Sequence, residues 1–498
     1  MKKYISLIFA GFLLMSCNLD KYPYSEVAAA DYVKDEASVN NLVIGAYNGL
    51  YDAVLNEWAV TELRSDNVRM RVNKSTSNET KLIEQLDQGT ILSANSWVQD
   101  HWDAIYSAIN RANSIFPVLD VVADDAKRAN FEGEARFIRA YMYFNLVRLW
   151  GPVFLVTRKT GADEARFMQR SPVEDVYALI ESDLNAIVDG NLLPESRTGA
   201  DLGRADMKAA KSLLAKVYMT AYKPSSEKYA LAKTLLSEVI ASCGNPRSGS
   251  ELVPYDRVFA TDNECNAELI FVVRYRSGNL GIGSPFTTLF APLNNAGNVA
   301  VGSPKHYNYP TDNLLSAYNA NPGDLRKDVV LQEGYMNHTT GLYVNDRYCN
   351  KFIDKNMVNE WDAETDWPVI RLADVMLLYA EASNELAGPS EDALVPLNAV
   401  RERAGLPAYT LASLPSKYEF REAVRNERRL ELAMENQRWF DLLRWGTATS
   451  VVNDFIKNEA FYSAYDYVVN PIAEWQTLLP IPLSVTNINK EVAQNPGY

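Results

Sequence analysis

The chain has 498 residues, enough for one large domain or up to about three smaller ones, and for a sizeable core. Its formal net charge is −14, or −16 once Lys2 and Lys3 leave with a leader peptide, an acidity that argues against nucleic acid or anionic lipid headgroups as partners. The 9 Trp and 28 Tyr are more distinctive, because several stand in polar, loop-like surroundings where a binding surface is expected.

At the start, Lys2 and Lys3 precede Ile5 to Met15, a run that is apolar apart from Ser6. It is too short to cross a bilayer, which takes about 20 residues, and has the length of a signal-peptide core. Leu14-Met15-Ser16-Cys17 follows, an aliphatic-x-small-Cys sequence that resembles a bacterial lipobox. That chemistry needs a small residue at the cut and a thiol directly after it to carry diacylglycerol. The expectation is a signal peptide over residues 1–16, lipidation at Cys17, and a mature chain anchored to a membrane without spanning it. Acyl chains add roughly 0.8 kcal/mol per buried methylene, and no later apolar stretch has the length of a transmembrane helix. With Cys17 acylated, Cys243, Cys265 and Cys349 remain, too few for a disulfide framework though one bridge stays open. A periplasmic or surface setting tolerates it.

Helical periodicity then dominates. Val39 to Leu50 places Leu42, Val43, Ala46 and Leu50 on one stripe, and Val98 to Leu119 continues through Trp102, Ile105, Ile109 and Ala112. Glu132 to Trp150 reads as a helix stopped by Gly151-Pro152. Ser171 reads as the N-cap, with Pro172 in the first turn, of a helix through Asp183. Ala205 to Tyr222 and Tyr229 to Ala241 form another antiparallel pair, and such pairs resemble tetratricopeptide units without a strict repeat. From about Gly244 to Asp366, Gly, Asn, Pro and Tyr become common. Glu268 to Tyr275 (ELIFVVRY) predicts a strand there, and the rest predicts long ordered loops. Helices resume at Pro368 to Leu386, with Ile370, Ala373, Leu377 and Ala380 on one face. Gly388-Pro389 ends that helix, Ser390 caps the next, and Arg421 to Trp445 supplies the last long one.

Reactive constellations are sparse. Glu427, Glu431 and Glu435 are spaced by four among Arg428, Arg429, Arg438, Asp441 and Arg444. Glycosidase carboxylates flank the sugar from separate elements. A ladder of helix ion pairs at i,i+3 and i,i+4 is the simpler reading, partly buried against Arg371, Asp374 and Glu381 of a neighbouring helix. His101, His306 and His338 lie far apart with no ligand-spaced partner, so no metal is expected. No Gly-rich phosphate loop, nucleophile elbow or dinucleotide fingerprint is present, and neither a cofactor nor catalysis is expected.

Several long strings carry a family resemblance. They are GEARFIRAYMYFNLVRLWGPVFL (Gly133 to Leu155), RSPVEDVYALIESDL (Arg170 to Leu184) and GRADMKAAKSLLAKVYM (Gly203 to Met219). The later half adds PVIRLADVMLLYAEASNE (Pro368 to Glu385), NAVRERAGLP (Asn398 to Pro407) and RNERRLELAMENQRWFDLLRWG (Arg425 to Gly446). With the closing LLPIP (Leu478 to Pro482) and QNPGY (Gln494 to Tyr498), and with Cys17 to Pro23 at the start, the chain resembles the SusD/RagB family of Bacteroidetes. The resemblance implies a mainly α fold, a superhelix of tetratricopeptide-like helix pairs with long loops and a few short strands. It implies an N-terminal helical region over 17–243 and a C-terminal region over 244–498, packed as one unit. It also implies a cell-surface lipoprotein of the outer membrane that binds oligosaccharides and delivers them to a SusC-like TonB-dependent transporter. Peptide capture, as in the RagB branch, is the sibling reading; a non-catalytic surface adhesin on the same scaffold is the other.

A sugar offers a flat apolar face edged by hydroxyls, so its site wants aromatic platforms beside Asn, Asp, Arg or Gln. Two regions supply the mixture. The first holds Trp58, Arg64-Ser65-Asp66-Asn67, Arg69, Arg71 and Asn73, then Asn95 and Trp97; its Ser65-Asp66-Asn67 string resembles the family segment that contributes to ligand capture. The second holds Tyr307, Tyr309, Tyr335, Tyr343 and Trp361. The ligand-binding candidates are therefore Trp58, Arg64, Asp66, Asn67, Arg71, Asn73, Trp97, Tyr307, Tyr309 and Trp361. For Trp58 and Trp97, packing beneath the helix pair is the competing role.

Overall fold

The computed structural model describes residues 33–71, 77–158, 160, 162–243, 252–459 and 469–498. The expected signal peptide, Cys17 and Asn73 lie outside them. Helix α1 (Glu36–Leu55) starts where the Asp35 carboxylate accepts the Ser38 N–H at 2.8 Å, in a capping box. Its stripe Val39, Val43, Ala46 and Leu50 is buried, with Leu42 half-buried beside it. A second, shorter helix α2 (Asn78–Asp87) precedes α3 (Ser96–Asn113). Helix α1 crosses α3 closely at Gly49, where a Cβ would stand 3.1 Å from the Ala108 Cα.

The long α4 (Asp125–Trp150) lies between α3 and α5 (Val173–Gly190) and is buried along most of its length. It begins well before Glu132, because the Asp124 side chain accepts the N–H groups of Ala126 and Lys127. The expected Ser171 cap is not formed. Pro172 occupies the N-cap position without a side-chain bond, Ser171 bridges to Val153, and α5 runs past Asp183 until Asn191 turns left-handed at φ 50°. Helices α6 (Met207–Ala221) and α7 (Glu227–Ser242) pair next, and α7 packs on α8 (Leu372–Ala387). Helices α9 (Glu391–Arg403) and α10 (Lys417–Glu431) pack on α8, completing a succession of helix pairs. Ser390 caps α9, as its position suggested.

Among the described residues, two-stranded antiparallel ladders complete the fold: β1 (Val68–Arg69) with β3 (Tyr309–Pro310), β2 (Leu269–Val273) with β8 (Trp367–Arg371), β4 (Leu331–Gln332) with β7 (Tyr348–Cys349), and β5 (Tyr335–Asn337) with β6 (Leu342–Val344). The expected strand is β2. Its partner corrects the helix start placed at Pro368: Trp367–Arg371 stays extended and α8 begins only at Leu372. Pro368 has no N–H to give a helix, and Trp367 is held by Phe286 and Phe352 at ring distances of 4.4 and 4.6 Å. The core is continuous across position 244; Phe137 of α4 meets Phe271 of β2 edge-on at 4.8 Å. Cys265 and Cys349 are free thiols, the second buried.

The last long helix is likewise two. Helix α10 ends at Glu431, Met434 and Asn436 take positive φ (68° and 61°), and α11 (Arg438–Arg444) follows. The break carries Glu435 to Arg371 and Lys351, each at 2.7 Å. Its neighbours pair across elements as well: Glu427 with Arg326 (2.6 Å) and Arg401 (3.1 Å), and Glu431 with Arg371 (2.6 Å), Arg326 and Arg403. All three glutamates are buried, so the expected intrahelical ladder is instead a lattice that ties α10 to α9, β8 and the Arg326 loop. Burial alone would raise the Glu431 carboxyl, and Arg403, Arg371 and Arg326 together hold it well below the ordinary range. Arg428 meets Asp374 at 2.8 Å and Arg444 pairs with Glu381, the contacts expected with the neighbouring helix.

Candidate functional site: an aromatic arc

The structure brings the two candidate regions together. In the β1–β3 ladder Arg69 lies opposite Tyr309, and the Thr311 N–H donates to the Asn67 carbonyl at 3.0 Å. Above this seam the Tyr307 ring stacks on Trp58 at 5.4 Å and 20° between planes. Trp97 stands edge-on to both, 5.7 Å from Trp58 and 6.3 Å from Tyr307. Helix α3 aims Trp97 there, because the Asn95 side chain accepts the N–H groups of Trp97 and Val98 and fixes the first turn. Phe290 closes the far edge of Trp58 at 5.8 Å.

Within this arc the three rings differ in exposure. Trp58 is fully buried and Tyr307 is 6% exposed, whereas Trp97 is half-buried and presents the arc's open ring. The Tyr307 hydroxyl donates to Glu79 of α2 at 2.9 Å; burial first, then the Glu79 charge, pushes its phenol well above the usual range. Lys305 lies 3.8 Å from the other Glu79 oxygen, so a carboxylate and an ammonium, both partly exposed, edge the rings. The buried Trp58 Nε1 has no acceptor among the described residues. Sequence reasoning passed over Glu79 and Lys305, since nothing in their spacing ties them to residues hundreds of positions away.

Below the arc, Tyr309 is half-buried, with the Arg69 guanidinium 4.4 Å over its ring and His306 at 5.3 Å. Burial lowers His306 to about 4 against the opposing pull of Asp346, so it is neutral at physiological pH. Arg71 reaches Asp346 at 3.1 Å and keeps 37% side-chain exposure, and Tyr335 lies in the same neighbourhood. Tyr343 is exposed on the β5–β6 hairpin. Trp361 is 43% exposed and donates its backbone N–H to the Thr288 hydroxyl at 3.0 Å. The Thr288 carbonyl accepts the backbone N–H of Lys305, and Trp361 has no ring contact to the arc among the described residues.

Arg64, Asp66 and Asn67, expected among the ligand contacts, are buried and paired within the fold. Asp66 is 3% exposed and its carboxylate is taken by Arg438 at 2.7 and 2.9 Å and by Arg429 at 3.1 Å. Burial would raise its pKa; Arg429 and Arg438 outweigh that and bring it down to about 2. Asn67 donates to Glu62 at 2.9 Å and accepts from Arg429 at 2.9 Å. The Arg64 guanidinium lies 4.2 Å over Trp439 and donates to the Gln476 carbonyl at 2.6 Å. The Asp66 carboxylate, the Asn67 amide and the Arg64 guanidinium are thus all engaged within the fold. Trp58 stands behind Tyr307, and Asn95 caps the helix turn that carries Trp97.

An open indole backed by two stacked rings and edged by charged groups suits stacking with a few hydrogen bonds. The model of the SusD family matches residues 293–498, and a second model, described as starch-binding associating with outer membrane, matches residues 18–219. SusD-like protein P25 of Formosa agariphila is 27% identical over 99% of this chain and 98% of its own length. The starch-binding protein SusD of Bacteroides thetaiotaomicron is 25% identical over 75% of this chain and 74% of its own. Among solved structures, a laminarin-binding SusD-like protein superposes with TM-score 0.76 at 26% identity, covering 93% of this chain and all of that one. A SusD homologue from Bacteroides thetaiotaomicron superposes with TM-score 0.79 at 24% identity, over 95% of this chain and 99% of that one.

Proposed function

This chain belongs to the SusD/RagB family, and from that membership we propose that it is an outer-membrane lipoprotein that binds oligosaccharides at the Trp97 arc. It delivers them to a SusC-like TonB-dependent transporter and transforms nothing itself. The observation that carries the reading is the meeting of Trp97 with the stacked Trp58–Tyr307 pair, edged by Glu79 and Lys305. A sugar ring lies flat on the open indole while its hydroxyls reach the carboxylate and the ammonium. The matched descriptions, starch-binding with outer-membrane association and laminarin-binding, support a glucan as the ligand class. Acylation at Cys17 supplies the anchor, and residues 17–243 and 244–498 act as one unit.

Native electrophoresis through gels cast with laminarin or starch tests the reading. The wild-type chain is retarded by at least one of them, and Trp97→Ala migrates as in a sugar-free gel. Equal retardation of both proteins would remove the arc from the binding site.

A further inference from the structure

Helix α1 carries a second patterned face that the arc does not use. Val39, Val43 and Ala46 point into the core, while Asn40, Ile44, Tyr47 and Tyr51, at helical spacing, line an open groove of about 400 Å³. That volume falls within the range of ligand sites, roughly 300–1,000 Å³. The opposite wall is the turn Leu202-Gly203-Arg204 and the end of β2 at Arg274. Ile44 and Leu202 stand at the rim, 44% and 41% exposed, so the groove opens to solvent through apolar side chains. Tyr51 is stacked on Tyr275 at 5.0 Å, which holds its ring in place. None of the arc's residues lines this groove.

Both arginines of the groove are preset. Arg204 is gripped by both oxygens of Glu134, with Asp201 at 2.9 Å and the Asn40 side-chain Oδ1 at 3.0 Å. Arg274 meets Glu264 at 2.8 Å and Asp366 at 3.6 Å, and keeps 42% exposure. Gly203 has φ +94°, and a Cβ there would come within 2.5 Å of the Arg274 Cδ; the turn rests on the arginine stem and steadies it. Arg204 is already matched by Glu134 and Asp201, and Arg274 by Glu264, so an ionic ligand of either sign gains little. Tyrosine rings between arginine donors and the exposed Asp201 carboxylate suit an uncharged, polyhydroxylated ligand.

We propose that the groove between α1 and the Leu202–Arg204 turn is a second binding site for a neutral oligosaccharide, separate from the Trp97 arc. It rests on the glycan-binding reading and extends it: two sites on one chain would hold a long glycan at two points, raising its residence by effective concentration.

The test follows the Ile44 methyl signal by NMR in the full, methyl-labelled chain in detergent. Laminarihexaose, maltohexaose and cellohexaose are each added to about 10 mM, well past a dissociation constant of about 1 mM. At least one sugar moves the Ile44 signal saturably, and does so equally in Trp97→Ala. Leu202→Arg on the exposed turn and Tyr51→Ala each weaken that response about tenfold or more. Sugars that bind the arc yet leave Ile44 unmoved would overturn the groove and spare the arc. An Ile44 response that vanishes in Trp97→Ala, or survives both groove variants, overturns the second site. Silence at both places overturns both readings.

Discussion

Replacing Asp66 by alanine separates a scaffold role from a ligand role at the residue where the sequence most strongly suggested binding. Its carboxylate holds Arg438 at 2.7 Å and Arg429 at 3.1 Å, and all three side chains are nearly buried. Asp66→Ala strands the Arg438 guanidinium and takes the carboxylate from Arg429, and breaking a buried pair in this way costs about 3–5 kcal/mol. Unfolding entropy of about 2.1 cal/mol/K per residue amounts to about 1 kcal/mol/K for a chain of this size, so the thermal midpoint falls by about 3–5 °C. In the wild type, with the folded pKa at about 2 against an unfolded value near 3.9, the pair contributes about 2–3 kcal/mol above roughly pH 4. That contribution is lost as pH falls towards 2. Scanning calorimetry reads the midpoint, and sugar titration of the folded variant reads the site. A variant that melts with the wild type while losing sugar affinity would refute the scaffold assignment.

Burial raises Glu57 and Asp366 to about 7, so in the folded chain both hold a proton that the unfolded chain releases. Stability therefore falls as pH rises from roughly 4.5 to 7, by about 1.4 kcal/mol per pH unit for each group, and Glu57→Gln flattens the slope in a melting series. Cys17→Ala leaves a folded protein and moves it from the outer-membrane fraction to the soluble one, read by fractionation and immunoblot. A SusC-like barrel co-purifies from detergent-solubilised outer membranes, because a stable lid contact buries on the order of 1,600 Å²; recovery of the chain without any barrel, under conditions that preserve other complexes, contradicts it.

The helical half of the molecule was legible because its signal is local. The stripe through Val43, Ala46 and Leu50 recurs every turn, and the buried face of α1 follows it. Where tertiary partners decide, the local signal misleads. Apolar spacing from Ile370 to Ala380 extends backwards into Trp367–Arg371, yet pairing with β2 keeps those residues extended. The chain from Glu427 to Arg444 has helical spacing throughout, yet Glu435 leaves the helix to reach Arg371, 64 residues earlier. The site shows the same division. Trp58, Trp97 and Tyr307 could be named as aromatics in polar surroundings, and their rings meet. Polarity at Arg64-Ser65-Asp66-Asn67 looked like a surface, because the arginines that bury it, Arg429 and Arg438, stand more than 360 residues away. No local pattern announces such a pair.

Isothermal titration calorimetry of the wild-type chain and Trp97→Ala, against oligosaccharides and peptides of matched length, tests glycan capture most directly. A glucan oligosaccharide is expected to bind with a dissociation constant between roughly 1 μM and 1 mM, weak enough for release to a transporter. Trp97→Ala is expected to lose about 1–3 kcal/mol of that binding, the worth of one stacked ring. Heats from peptides and none from glycans, or equal sugar affinity in the two proteins, would contradict it.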